Sequence, residues 1–205
     1  MYVARIEGSG MDALAALGIV LPITLIMQAF ANLVGLGGAP RAGIKLGEGK
    51  VDEANRIFHT AFCLLVLLGV VIGAAAFCFA RQIVLLFGCP ESAVEFAVSY
   101  LKIYACGTIF VMLAQGLNPF ILTQGYSWLA MSSVLLGALI NIALDPLFIY
   151  GFGWGIRGAA IATVLAQIIA LIWQFHILSD KSELLHFRRG IYRLRRKIVR
   201  DILVP

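Results

Sequence analysis

Asn141 and Asp145 are the residues of this sequence best suited to chemistry inside a membrane. Asp145 ends a long stretch, residues 103–144, that contains no Asp, Glu, Lys or Arg. Residues four positions apart share one face of a helix, so the amide and the carboxylate lie side by side. An ionised Asp at the centre of a membrane helix costs about 2.5–3.5 kcal/mol on insertion scales. Such residues usually face a bundle interior or a water-filled cavity, where they bind ions or relay protons.

A position near the helix end is the alternative explanation for Asp145. It follows Trp128 by about 26 Å along a helix that rises ~1.5 Å per residue, which brings headgroup water within reach. The apolar residues 147–150 continue the segment beyond it. This continuation favours the functional interpretation.

Three amide side chains are candidates for a substrate path. Gln28 and Asn32 are four positions apart in the first apolar run, and Gln167 follows Thr163 by the same interval in the last one. Each pair therefore shares a helix face. Interhelical hydrogen bonding is the alternative explanation for Gln28 and Asn32, and both interpretations stay open.

The composition is that of an integral membrane protein. Of 205 residues, 61% are hydrophobic and 13% are charged, whereas soluble domains carry about 25% charged residues. Several uncharged runs reach the roughly 20 residues needed to cross about 30 Å of hydrocarbon. The net charge of +5 is concentrated near the C-terminus beside a predicted membrane face, so we predict a lipid bilayer as partner and no nucleic acid.

We predict an all-α membrane protein with five transmembrane helices and a C-terminal basic amphipathic helix. Residues 1–179 form the bundle, and residues 180–205 form a cytoplasmic linker. The predicted spans are about 11–35, 56–80, 94–122, 128–150 and 158–178. Pro22 is expected to kink the first span, and Asn118-Pro119 to kink or end the third.

The linker combines eight Lys or Arg residues after position 180 with apolar residues at helical spacing. These apolar residues are Phe187, Ile191, Leu194, Ile198 and Ile202. A basic helix with one apolar face is typical of a segment that lies on a membrane surface.

Loop charge predicts the orientation. Loops 38–57 and 180–205 carry four and eight Lys or Arg residues, while the opposite side carries Arg5, Arg81 and Arg157. The positive-inside rule places the first set in the cytoplasm, with the N-terminus of the chain outside and the C-terminus inside. The N-terminus has no cleavable signal pattern. An outside N-terminus then predicts an upstream span, and hence that the chain is a fragment.

The sequence carries no enzyme motif. It has no HExxH, no GxSxG and no GxxxxGK[ST], which argues against zinc hydrolases, serine hydrolases and nucleotide hydrolases. The four cysteines form no CxxC, and the three histidines are dispersed. We predict no enzymatic activity, no cofactor and no metal beyond a cation at the intramembrane Asp145.

Three segments together resemble the multidrug and toxic compound extrusion (MATE) family. They are GLGGAPRAGIKLGEGKVDEAN at 35–55, TQGYSWLAMSSVLLGALINIALDPLFIYGFG at 123–153 and WGIRGAAIATVLAQ at 154–167. The resemblance covers nearly the whole chain. It implies a plasma-membrane antiporter that exports drugs and organic cations in exchange for Na+ or H+. Members have two six-helix lobes, and this chain corresponds to the N-terminal lobe without its first helix and without the second lobe.

The resemblance also implies roles for individual residues. Asp145 matches the acid of the family's fifth helix, and Asn141 matches its polar partner. Tyr100 and Thr163 match polar residues that line the same cation- or proton-responsive site. Neutral oxygen ligands suit a hard cation, and the resemblance therefore implies Asp145 as the site of a Na+ ion where Na+ is the coupling ion. The family's first-helix acid would fall at or before Met1, so this chain lacks it.

Two alternatives remain at the level of sequence. A lipid-linked saccharide flippase of the same superfamily would line its cavity with basic residues, whereas the spans contain almost none apart from Lys102. A non-transporting, truncated membrane subunit would also fit a chain that lacks a helix and a lobe.

Overall fold

The computed structural model describes residues 10–179, Leu185 and residues 196–203. Their regular structure is helical, and it comprises α1 (Gly10–Gly47), α2 (Val51–Cys78), α3 (Ala80–Leu86), α4 (Glu91–Thr123), α5 (Ser127–Pro146), a π-helical turn (Leu147–Gly151), α6 (Gly155–Ser179) and α7 (Arg196–Leu203). Five helices are long and apolar enough to cross a membrane: α1, α2, α4, α5 with its π-helical turn, and α6. The predicted fold class, an all-α membrane bundle, is confirmed.

Helix α4 lies at the centre of the bundle. It packs against α1, α2 and α6, and more than half of its most apolar stretch is buried. Helix α5 packs mainly against α6, and Ala130, Ser133 and Gly137 are its only buried residues. Side chains on α4 therefore have the best opportunity to connect different parts of the lobe.

The helices extend beyond the spans estimated from hydropathy. The first span was expected to end near residue 35, but α1 continues to Gly47 with Pro40 inside it, and residues 48–50 alone connect it to α2. Hydropathy marks where lipid contact ends, whereas backbone hydrogen bonds can continue a helix into water. Helix α4 likewise passes through Pro119 and ends at Thr123.

The α1–α2 turn carries exposed ion pairs. Hydrogen bonds from Lys50 and Lys45, each 2.9 Å long, lower the pKa of the Glu48 carboxyl to about 2. Glu48 is therefore ionised at neutral pH. Exposed pairs of this kind contribute little to stability because water screens them.

Helix α7 packs on the bundle. Ile202 is buried, and a Cβ added at Gly37 of α1 would overlap the Ile202 carbonyl oxygen. Ile198 and Val199 are partly buried against the same core. The apolar face of this amphipathic helix was expected to lie on lipid, but in α7 it contacts α1 and α2. The nearest apolar surface is protein, and Gly37 allows the backbones to approach closely.

The rest of the predicted linker helix can be compared only at one residue. Leu185 is fully buried, and its N–H donates to Oε1 of Gln124 in the α4–α5 turn at 2.8 Å. Phe187, Ile191 and Leu194 lie outside the described residues.

Two glycines allow α2 to pack closely on α4. A Cβ at Gly69 would lie 2.9 Å from the Ile109 Cα, and a Cβ at Gly73 would lie 2.8 Å from the Ala105 carbonyl oxygen. Small residues spaced by four are a common device of membrane helix pairs, because association there depends on close van der Waals packing.

We predict that Gly73→Ala destabilises the bundle by about 1–3 kcal/mol, since the new methyl group meets backbone atoms that cannot rotate away. The measurement is the thermal unfolding midpoint in detergent. Gly18→Ala is the matched control, because no atom lies within 4 Å of a Cβ at Gly18. Equal midpoints for the two variants would contradict the close packing of α2 on α4.

Candidate functional site

Asp145 and Asn141 lie in the last two turns of α5. Nδ2 of Asn141 donates to Oδ1 of Asp145 at 3.3 Å, and both residues are half-buried. The contact follows directly from their spacing of four on one helix. The carboxylate therefore has one hydrogen-bond donor from its own helix.

Thr163 brings α6 to this pair. Nδ2 of Asn141 lies 3.4 Å from Oγ1 of Thr163, and the Thr163 hydroxyl donates to the carbonyl oxygen of Ala159 at 2.9 Å. The start of α6 lies against the π-helical turn, since a Cβ at Gly158 would be 2.6 Å from the Phe148 carbonyl oxygen. This close approach holds Thr163 beside the end of α5.

Tyr100 adds α4 to the cluster. Its side chain is 6% exposed, and it lies close to both Thr163 and Asp145. The structure thus brings Asp145, Asn141, Thr163 and Tyr100 together from three helices.

This cluster, which we call the acid cluster, offers one carboxylate and several neutral oxygens. The ion pairs between described residues do not include Asp145. Oxygen donors of this kind suit a hard cation, and a carboxylate can equally hold a proton. Within the described ranges, no group of three His, Cys, Asp or Glu residues is placed to bind a metal.

A second polar region lies between α1, α4, α5 and α6. It is a cavity of about 300 Å³, which we call the amide cavity. Its polar lining consists of neutral side chains: Asn32, Gln115, Asn118, Ser133, Gln167 and Gln174. Of the predicted path residues, Asn32 and Gln167 therefore meet here, although they come from different helices. No charged residue lines the cavity among the described residues.

Gln28, the third predicted path residue, lies outside this lining. Its Nε2 donates to the Tyr104 hydroxyl at 2.9 Å, and its Oε1 accepts from Nε2 of Gln115 at 2.8 Å. Gln28 therefore connects a buried tyrosine to a residue of the cavity wall.

Gln174 is the least satisfied polar group of the cavity. Its side chain is 2% exposed, and its Nε2 donates to the Ala114 carbonyl oxygen at 2.9 Å. Its Oε1 has no hydrogen-bond partner among the described residues. A buried acceptor without a partner is costly and calls for an explanation.

Four residues of these two regions were not singled out from the sequence as site residues: Tyr104, Gln115, Asn118 and Gln174. A signal existed for some of them. Gln115 and Asn118 are three positions apart in an uncharged run, and Gln174 follows Gln167 by seven, so each pair shares a helix face. The Asn118 amide also donates to the Ala130 carbonyl oxygen at 2.9 Å, which links α4 to α5.

Known proteins resemble this chain in sequence. The MatE family model matches residues 1–147. A FAD transporter of Shewanella oneidensis is 30% identical, with 86% of this chain and 40% of the relative covered. The multidrug export protein MepA of Staphylococcus haemolyticus is 28% identical, with 91% of this chain and 41% of the relative covered.

Solved structures resemble it in fold. The inward-facing conformation of a multidrug resistance MATE family transporter superposes with a TM-score of 0.91 at 26% identity, over 98% of this chain and 46% of that one. The chain thus spans less than half the length of the relatives it matches. With the match over residues 1–147 and five apolar helices, this chain is a multi-pass membrane protein and belongs to the MatE (MATE) family.

Proposed function

We propose that this chain is the N-terminal lobe of a cation-coupled antiporter that exports drugs and other organic cations across the plasma membrane in exchange for Na+ or H+. The observation that carries the proposal is the presence, in one lobe, of an acid cluster and a neutral cavity that share α4, α5 and α6. The relatives named multidrug export protein and multidrug resistance transporter support it. Their greater length supports a second lobe as the partner.

Asp145 is the coupling residue in this proposal. It carries charge in one state and binds a proton or Na+ in another, with Asn141, Thr163 and Tyr100 supplying neutral oxygens or hydrogen bonds. Neutralising the carboxylate changes the contacts between the end of α5 and the first half of α6. The bound ion then shifts the equilibrium between outward and inward states by its difference in affinity for the two.

The amide cavity is the substrate-contacting wall of this lobe. Amide oxygens can accept hydrogen bonds from an organic cation. The Oε1 of Gln174, which has no partner among the described residues, becomes one such acceptor when its side chain turns toward the cavity. Asn32 and Gln167 line the same wall. An anion such as FAD would instead call for Arg or Lys at the wall, and the described lining has neither. The FAD-transporting relative nevertheless makes FAD a necessary competitor in any test.

The orientation in the proposal follows loop charge, with the N-terminus of this chain outside and the C-terminus in the cytoplasm.

A saccharide-lipid flippase is less well supported. Such a flippase would line its cavity with basic residues. Lys102, a basic residue within the predicted spans, is exposed, lies over the Phe77 ring at 5.7 Å and is not part of the amide cavity lining. A truncated, non-transporting subunit is the remaining alternative, and an efflux measurement distinguishes it.

We predict that Asp145→Asn abolishes ion-coupled ethidium efflux from cells that express the transporter containing this chain, because the amide can neither hold the coupling ion nor change its charge. Asp12→Asn is the matched control. Asp12 is a half-buried acid at the start of α1 that accepts a hydrogen bond from Ser92, and efflux should persist in that variant.

Unchanged efflux after Asp145→Asn would contradict the coupling role. No efflux from the wild-type transporter, with saccharide-lipid translocation in its place, would favour the flippase. No transport of either kind would favour a non-transporting subunit.

We predict that Gln174→Met raises the Kd for ethidium about tenfold, since a hydrogen bond to a charged ligand contributes about 1.5 kcal/mol. The substitution preserves the approximate volume of the side chain. Gln82→Met on α3 is the control, because Gln82 is exposed and outside the cavity lining. The measurement is fluorescence titration in nanodiscs, with FAD as competitor. Stronger binding of FAD than of ethidium would contradict the proposed substrate class.

A further inference from the structure

The acid cluster and the amide cavity are connected by polar side chains of α4 and α1. Tyr100 belongs to the acid cluster, and its ring is stacked on that of Tyr104, with centroids 6.4 Å apart and planes inclined by 15°. Tyr104 bonds to Gln28, and Gln28 bonds to Gln115 in the cavity wall. The series is thus a ring contact between Tyr100 and Tyr104, followed by hydrogen bonds from Tyr104 through Gln28 to Gln115.

The hydrogen bonds from the cavity to Tyr104 all have the same direction. Gln115 donates to Oε1 of Gln28 at 2.8 Å, and Gln28 donates to the Tyr104 hydroxyl at 2.9 Å. Both amide nitrogens therefore face away from the cavity. Since the nitrogen of Gln115 is used in this way, its Oε1 remains as the acceptor on the cavity side.

A second arrangement of the same three side chains makes an equal number of hydrogen bonds. If the Tyr104 hydroxyl donates to Gln28, the Gln28 amide must reverse, and its nitrogen then faces Gln115. Gln115 must reverse in turn, and it presents its NH2 group to the cavity. A mixed arrangement would place two donors or two acceptors face to face. The three residues therefore have two preferred states and few intermediate ones.

Burial limits how far water can compensate for a mixed arrangement at the Tyr104 end of the series. Tyr104 is 2% exposed and is one of the largest fully enclosed side chains of the lobe. Gln28 is half-buried between α1 and α4. Hydrogen bonds in such surroundings are exchanged between protein groups rather than with solvent.

We propose that Tyr104, Gln28 and Gln115 form a polarity switch, in which the state of the acid cluster determines whether the cavity wall presents a carbonyl oxygen or an NH2 group. This inference rests on the proposed antiport function. With Asp145 ionised, Asn141 donates to it as observed, and the wall presents oxygen to an organic cation. When Asp145 is neutralised by its ion, Asn141 and Tyr100 rearrange, the series reverses, and the NH2 group disfavours the cation. Tyr104 and Gln28 act as positioning residues.

A double-mutant cycle tests the switch in the assembled transporter. The Kd for ethidium is measured by fluorescence titration in nanodiscs for the wild type, Asp145→Asn, Tyr104→Phe and the double variant. Coupling between two sites typically changes an affinity by at least fivefold. We expect Asp145→Asn to weaken ethidium binding by about fivefold or more in the wild-type background, and by less than about twofold in the Tyr104→Phe background.

Two further variants make the result specific. Gln28→Met removes the hydrogen bonds of the next residue in the series while keeping a similar side-chain volume. It should suppress the effect of Asp145→Asn on ethidium binding in the same way. This variant also provides the test if Tyr104→Phe does not fold. Thr24→Val removes another buried hydroxyl, whose hydrogen bond within the described part of the chain is to the Leu21 carbonyl oxygen of its own helix. It should preserve the full response.

The possible outcomes test the polarity switch separately from the proposed antiport function. An equal effect of Asp145→Asn in all backgrounds would mean that the carboxylate acts on the cation directly through its charge, and this would overturn the switch while leaving the antiport function intact. Absence of ethidium binding by the wild type would overturn the proposed function and the switch with it. Loss of the response in Thr24→Val would also overturn the switch.

Discussion

A polar side chain inside a membrane protein has to find its partners within the protein, because hydrocarbon offers no hydrogen bonds. Asp145 meets this requirement with Asn141 one turn earlier on its own helix, and Asn141 is held in turn by Thr163 of α6. The hydrogen bond between Asn141 and Thr163 forms only where α5 packs on α6. The Gly158–Phe148 approach that sets this packing is thus a condition for the acid cluster rather than a separate feature.

Helix α4 contributes side chains to both polar regions of the lobe. It contributes Tyr100 to the acid cluster and Gln115 and Asn118 to the amide cavity, and Tyr104 lies between these positions. A helix can serve several regions in this way only if its neighbours approach it closely. The glycines of α2 at positions 69 and 73 and Gly35 of α1, whose added Cβ would lie 2.8 Å from the Gly116 carbonyl oxygen, permit that approach.

The distribution of charge separates the two kinds of surface in the lobe. Ion pairs between described residues are found at exposed positions, such as the Lys45–Glu48–Lys50 group and the Arg81–Glu95 pair. The cavity wall is built from neutral amides instead. A neutral wall can change the groups it presents by rotating an amide, without moving a charge through low-dielectric surroundings. This property suits the proposed function, in which the lobe binds an organic cation in one state and releases it in another.

Much of this protein could be predicted from its sequence. The membrane class follows from composition, and the Asn141–Asp145 contact follows from a spacing of four on one helix, because both depend only on local chain geometry. The bond of Gln28 to Tyr104, the unpaired oxygen of Gln174 and the packing of α7 at Gly37 could not be predicted in this way. Each depends on how far one helix is rotated and shifted along its neighbour. Hydropathy and spacing do not determine these quantities, since they arise from side-chain packing across the whole bundle.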